Sequence, residues 1–178
     1  GGSFTTAGGG AARHVALWNG ASWSALGAGM AGSSSGVYAL ISFDGDLVAG
    51  GVFTTAGTTP VNHIAAWDSA GWSALGSGTN SGVSTSIVHD GNLIVGGAFS
   101  TIGGVAANRI AAWDGAAWLP LGAGMGGATD PSVKAVAIYD GKLIAGGYFQ
   151  TAGGVSANGL AAWDGSAWSR LGSGTTSE

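Results

Sequence analysis

Apolar residues in this chain come in short runs, most of them cut off by Asp-Gly, Asn-Gly, Gly-Gly or Gly-Ser. None has the 3.6-residue period of an amphipathic helix, so near-zero helix content is predicted. The run Val37 to Phe43 meets Asp44-Gly45, and a second β-rich run from Asp46 to Phe53 follows at once. That order predicts a hairpin on a two-residue turn, because Asp and Gly best tolerate the positive φ such a turn needs. The same hairpin is predicted around Asp90-Gly91 and Asp140-Gly141. A third strand is expected to end at Trp67, Trp113 and Trp163, with a fourth starting at Trp72, Trp118 and Trp168.

The pattern repeats. Ile110 to Trp118 recurs as Leu160 to Trp168, as Ile64 to Trp72 with Asp68-Ser69 at the turn and, with Asn19-Gly20 there, as Val15 to Trp23. All eight tryptophans fall in these copies, and Trp18, Trp67, Trp113 and Trp163 are spaced by 49, 46 and 50 residues. Gly-Gly-x-Phe elements carry Phe4, Phe53, Phe99 and Phe149 at one phase of the repeat. Paired glycines inside strands imply that another backbone or a large side chain packs where a Cβ would sit, with the tryptophans of the same or next repeat as the expected candidates. About ten residues then form a loop (54–62, 100–108, 150–158) before the third strand.

Four strands in a repeat of 46–50 residues predict an all-β chain of β-propeller-type blades of four antiparallel strands. The blades are read as 1–36, 37–82, 83–131 and 132–178, together one repeat domain. The first begins at Gly-Gly-x-Phe and lacks a first strand, giving fifteen strands where four whole blades need sixteen. A window onto a longer array, a defective first blade and completion by another chain all fit that count. An unpaired edge beside an apolar blade face is in each case a site for association.

Composition narrows the classes of function. Glycine supplies 37 of 178 residues without a Gly-X-Y period, which excludes collagen. Charged residues make up 8%, against roughly 25% in ordinary soluble domains. The net charge is −4 and the five basic residues are scattered singly, so neither nucleic acid nor an anionic membrane is an expected partner. No apolar run reaches the roughly 18 residues of a helical membrane span. Without cysteine there are no disulfides or thiolate metal sites. A surface poor in lysine and rich in Gly, Ala, Ser and Thr suits a secreted or cell-surface protein.

The elements Gly-Gly-x-Phe-Thr-Thr-Ala-Gly, Ala-Asn-Arg-Ile-Ala-Ala-Trp-Asp-Gly and Trp-Ser-Ala-Leu-Gly-Ser-Gly resemble the kelch-like, galactose-oxidase-type propeller repeats of secreted bacterial proteins. They are also similar to repeats of fungal bud-site landmark proteins at the cell surface. The resemblance covers essentially the whole chain. It implies four-stranded blades but no single activity, since propellers host many functions. Galactose-oxidase copper chemistry does not carry over, because its Tyr-Cys crosslink has no cysteine here.

No constellation of catalytic residues stands out. Asp68, Asp114 and Asp164 recur, but Asn19 replaces them in the first copy and an Asp opening a turn bonds the backbone two residues on. The motif differs from the sialidase Asp-box, where one residue separates Asp from Gly. His14 and His63 share a phase with Arg109 and Gly159, and His89 lies elsewhere in the repeat, so no metal set is expected. Asp44-Gly45-Asp46 lacks the further ligands of a calcium loop. The tryptophans are expected to be blade-to-blade core; were one per repeat exposed, they would form a multivalent sugar-stacking platform. The resulting expectation is a non-catalytic, extracellular structural or adhesive module without cofactors. Its partners would be itself or neighbouring repeats. A carbohydrate-binding propeller is the alternative.

Overall fold

The computed structural model describes residues 1–175, and every helical or extended element among them is a β-strand. The chain divides into two compact units, Gly1–Val83 and Ser84–Glu178. Three four-stranded antiparallel meanders form the predicted second, third and fourth blades. The second comprises Gly36–Phe43, Asp46–Val52, Ile64–Asp68 and Gly71–Ala74. The third comprises Val83–His89, Asn92–Gly97, Ile110–Trp113 and Trp118–Pro120. Ser132–Tyr139, Lys142–Tyr148, Leu160–Trp163 and Trp168–Arg170 make the fourth.

The first hairpins turn as their sequence demands. Asp44 and Gly45 have φ of 51° and 89°, Asp90 and Gly91 of 48° and 75°, and Asp140 and Gly141 of 50° and 70°. Positive φ at both central positions matches the right-handed twist of the flanking strands.

The first blade departs from expectation. Its sheet holds only Ala16–Trp18 and Trp23–Ala25, and Gly1 to Phe4, expected as a strand, is not one. That segment is tied through Gly2 N–H to His14 O (2.9 Å) and His14 N–H to Phe4 O (2.9 Å). Gly2 O also accepts Val37 N–H at 3.2 Å, and these isolated bonds do not make a ladder.

The expected ten-residue loops are also structured. Each contains a small hairpin: Thr6–Ala7 with Gly10–Ala11, Thr55–Ala56 with Thr59–Pro60, Thr101–Ile102 with Val105–Ala106, and Thr151–Ala152 with Val155–Ser156. In the second and fourth blades the segment arriving from the preceding blade adds a third strand. Met30–Ala31 pairs with Thr55–Ala56, and Met125–Gly126 with Thr151–Ala152. Two-residue strands are too short to leave a period-2 signature, so nothing in the sequence pattern distinguishes them from loop.

Each unit has its own core. In the first unit Phe53, Val37, Ala49, Ala65 and Trp72 cluster around buried Met30. In the second, Phe149, Leu143, Val133, Ala161 and Trp168 gather with Met125. Phe53, Phe99 and Phe149 are buried, and Phe4 is half-buried.

Candidate functional site

The repeat motif builds a cross-strand pair of indoles in every blade. Antiparallel register sets Trp18 opposite Trp23, Trp67 opposite Trp72, Trp113 opposite Trp118 and Trp163 opposite Trp168. Ring centroids lie 5.1–5.3 Å apart with planes inclined at 49–61°, an arrangement favoured by the ring quadrupoles.

The turn between each pair is closed by the aspartate. One carboxylate oxygen of Asp164 accepts the N–H groups of Ser166 (2.9 Å) and Ala167 (2.8 Å); Asp114 accepts those of Ala116 and Ala117 (both 2.8 Å). Asp68 holds Ala70 at 2.7 Å and Gly71 at 3.0 Å, and the Asn19 side-chain carbonyl does the same for Ala21 and Ser22. The Ala167 and Ser166 N–H groups, with the Ser166 hydroxyl and a weaker field from Lys142, hold the Asp164 carboxyl down to about 2. Asp114 is lowered by the Ala117 and Ala116 N–H groups. These carboxylates are exposed turn-closers; they do not converge on a ligand.

The second tryptophan of each pair seats on a left-handed glycine of the small hairpin in its own repeat. A side chain at Gly8, Gly57, Gly103 or Gly153 would meet Trp23, Trp72, Trp118 or Trp168 at 2.5–3.3 Å. Two of the indoles also reach the preceding blade. Trp72 Nε1–H donates to Leu26 O at 3.2 Å, and Trp168 Nε1–H to Leu121 O at 2.8 Å. Beside those carbonyls, a side chain at Gly27 would meet Trp67 at 2.8 Å, and one at Gly122 would meet Trp163 at 3.2 Å.

The Gly-Gly pairs do admit a side chain and a backbone, as expected, but the side chain is a valine and not a tryptophan. The first glycine makes room for a valine of the following first strand: a side chain at Gly1, Gly50 or Gly96 would lie 2.5, 2.6 or 2.6 Å from Cγ1 of Val37, Val83 or Val133. The second sits opposite a slip in register of the first hairpin, between Val37 and Ala39 or between Val133 and Ala135. There a side chain at Gly51 or Gly147 would run into the carbonyl of Gly36 or Ser132. Glycine is required by that bulge, not by an indole.

Burial sorts the tryptophans unequally. Trp72, Trp118 and Trp168 are 7%, 5% and 6% exposed, Trp163 is buried, and Trp67 and Trp113 are half-buried. Trp18 and Trp23 are each 49% exposed. The motif is therefore core in three blades and surface in the first.

Residues missed by the sequence reading are Asn62, Asn108 and Asn158. Their side-chain amides donate to Ser77 O, Ala123 O and Ser173 O at 2.9–3.0 Å, tying down the turn after the fourth strand. Recurrence of Asn at one phase of three repeats was the available signal. The residue that follows, His63, Arg109 or Gly159, takes φ of 64°, 69° or 77°, as His14 does at 67°. His14 and Arg109 also contact the segment before the next first strand, through Ser35 Oγ (2.9 Å) and Pro131 O (3.3 Å).

Burial lowers the pKa of His63 from its ordinary 6.5, and His63 Nδ1 is buried without a hydrogen-bond partner. With the folded pKa below the unfolded one, acidification loads the unfolded chain with the proton first. Stability is then full above about pH 6.5 and declines as pH falls towards the folded pKa. The thermal midpoint is expected to drop from about pH 7 to about pH 5. His63→Asn, compatible with the positive φ, should flatten that slope in a pH series of melting curves.

Among the described residues, no group of three or more His, Cys, Asp or Glu is placed to hold a metal ion. His89 Nε2 lies 3.4 Å from Asp90 Oδ2, beside a cleft of about 280 Å³ that also touches Trp163. The indole of Trp163, only 9% exposed, offers no open face there for stacking.

Two stretches, residues 89–111 and 140–161, match the model of a family described as "Domain of unknown function (DUF5122) beta-propeller". Each runs from the turn of the first hairpin through the Gly-Gly strand and small hairpin into the third strand. No curated protein matches the chain. The blades and the match together make this a protein of propeller-type repeats.

Proposed function

We propose that the chain is a non-catalytic structural or adhesive repeat module, secreted or displayed at a cell surface, whose blades bind repeats of their own kind. One observation carries the reading: the indole of one repeat donates into the Leu-Gly corner of the repeat before it, once in each unit. Trp72 and Trp168 thus hold blade against blade, which supports the reading. The extracellular assignment rests on the low charge and the Gly, Ala, Ser and Thr content. Kinship with kelch-like, galactose-oxidase-type and fungal landmark repeats belongs to the same proposal and rests on repeat length and the Gly-Gly-x-Phe and Trp-Asp-Gly elements.

Carbohydrate binding is the second reading, favoured by the half-exposed Trp18–Trp23 pair. A single open pair is a poor basis for multivalency, which needs several linked sites. A glycan array is expected to give no signal above a Trp18→Ala/Trp23→Ala control. Binding that disappears in that control would replace the structural reading.

A further inference from the structure

The dipeptide Asn-Gly occurs twice in the chain, and the fold puts the two copies in opposite chemical situations. Asn19-Gly20 belongs to the exposed turn between Trp18 and Trp23, whereas Asn158-Gly159 directly precedes the third strand of the fourth blade. Asparagine before glycine is the pair most open to cyclisation, because glycine has no side chain to hinder attack by its backbone nitrogen on the preceding amide. Asn62, Asn80, Asn92 and Asn108 precede His63, Ser81, Leu93 and Arg109, whose side chains crowd that approach.

At Asn19 each group the reaction needs is free or activated. Gly20 N–H has no hydrogen-bond partner among the described residues, and a side chain at Gly20 would find nothing within 4 Å. Asn19 Oδ1 accepts the N–H groups of Ala21 and Ser22, both at 2.9 Å. Two donors on that oxygen make Cγ more electrophilic and stabilise the oxyanion formed when a nucleophile adds, as an oxyanion hole does. Asn158 is protected at both atoms. Its Nδ2 donates to Ser173 O at 3.0 Å, and the N–H of buried Gly159 donates to Phe149 O at 2.7 Å. Both situations belong to the repeat and not to one blade. Asn62 and Asn108 make the same side-chain bond as Asn158, and Asp68, Asp114 and Asp164 are exposed at the turn position of Asn19.

We propose that Asn19-Gly20 is a site of spontaneous deamidation in the folded protein. Gly20 N attacks Asn19 Cγ, the new N–Cγ bond forms, and the Cγ–Nδ2 bond breaks. The proton lost from Gly20 N leaves with Nδ2, by way of water, as ammonia. Water then opens the succinimide ring at one of its two carbonyls. Opening at Cγ gives aspartate; opening at the main-chain carbonyl gives isoaspartate, with an extra methylene in the backbone. Aspartate supplies the first repeat with the side chain that closes this turn in the other three. In two of those turns the N–H groups hold the carboxyl pKa of Asp114 and Asp164 below its ordinary value. An ionised carboxylate has no group to lose, so the aspartate product is an end point. Isoaspartate lengthens the turn and breaks the register that sets Trp18 opposite Trp23.

The test is to hold the folded protein in mildly alkaline buffer and follow each asparagine by peptide mapping and mass spectrometry. Asn19 is expected to lose its amide about tenfold or more faster than Asn158, whose attacking N–H must first break a hydrogen bond. In urea, with both glycine N–H groups released, the two rates should converge. Asn19→Asp should melt no lower than the wild type. Equal rates at Asn19 and Asn158 in the folded protein overturn the proposal, as does faster loss at Asn158. It is overturned too if Asn19 keeps its amide when folded while both react in urea. A lower melting midpoint for Asn19→Asp overturns the aspartate end point. None of these outcomes depends on whether the blades bind one another.

Discussion

Trp168→Ala is expected to destabilise the protein by about 3–5 kcal/mol, the range for removing a large aromatic from a packed interior. The indole is 6% exposed, lies in the second unit's core with Leu143, Phe149 and Met125, and satisfies Leu121 O at 2.8 Å. Truncation leaves a void and returns that carbonyl to its single bond with Gly124. Trp168→Phe fills most of the space but makes no hydrogen bond, and should recover all but about 1–2 kcal/mol. Trp23 occupies the same motif position yet is 49% exposed and touches Gly8 of its own repeat. Trp23→Ala should therefore cost about half as much or less, in proportion to the area kept from water. Urea denaturation of the three variants gives the comparison. Equal losses at Trp23 and Trp168 would mean that contact with the preceding blade contributes nothing.

Gly96→Ala and Gly146→Ala, the same substitution at the same repeat position, are expected to have opposite signs. At Gly96 the new methyl would lie 2.6 Å from Val133 Cγ1 and 2.9 Å from Thr85 Cγ2. Both neighbours are β-branched and stiff, so relief requires moving a strand, at about 1–3 kcal/mol. At Gly146 the nearest atom is Leu160 Cδ1 at 3.8 Å, an ordinary contact, and the backbone is outside the left-handed region. Alanine there restricts the unfolded chain and should stabilise by about 0.4–1 kcal/mol. Combining Gly96→Ala with Val133→Ala should restore part of the loss, and the interaction energy from that double-mutant cycle measures the contact directly. Thermal and urea midpoints of the wild type, the three single variants and the double variant check the prediction.

Much of the architecture was legible because it rests on short-range chemistry. Asp44-Gly45, Asp90-Gly91 and Asp140-Gly141 specify positive φ at two consecutive residues, and each forms the hairpin turn. Asp68, Asp114 and Asp164 hydrogen-bond the next turn of backbone whatever surrounds them. The small hairpins were illegible because two-residue strands carry no alternation; Thr55–Ala56 is held in place by Met30–Ala31, a segment far along the chain. Gly-Gly was legible as a tight place but not for its occupant. Val83 fills one position and a bulged carbonyl the other, and both depend on register across strands.

The candidate site divides in the same way. Which tryptophans pair followed from their spacing about a four-residue turn, since antiparallel register then sets them opposite one another. Which are buried did not follow, because eight residues in equivalent positions have nearly the same local chemistry. Local residue chemistry is enough to specify an all-β chain of repeated four-stranded blades with turns of given handedness. The packing of the folded chain sets which indoles are interior, with Trp72 and Trp168 buried and Trp18 and Trp23 half exposed. The reason is physical: a turn is specified by the torsional preferences of a few adjacent residues, whereas burial depends on what lies next to a face, and identical faces have different neighbours.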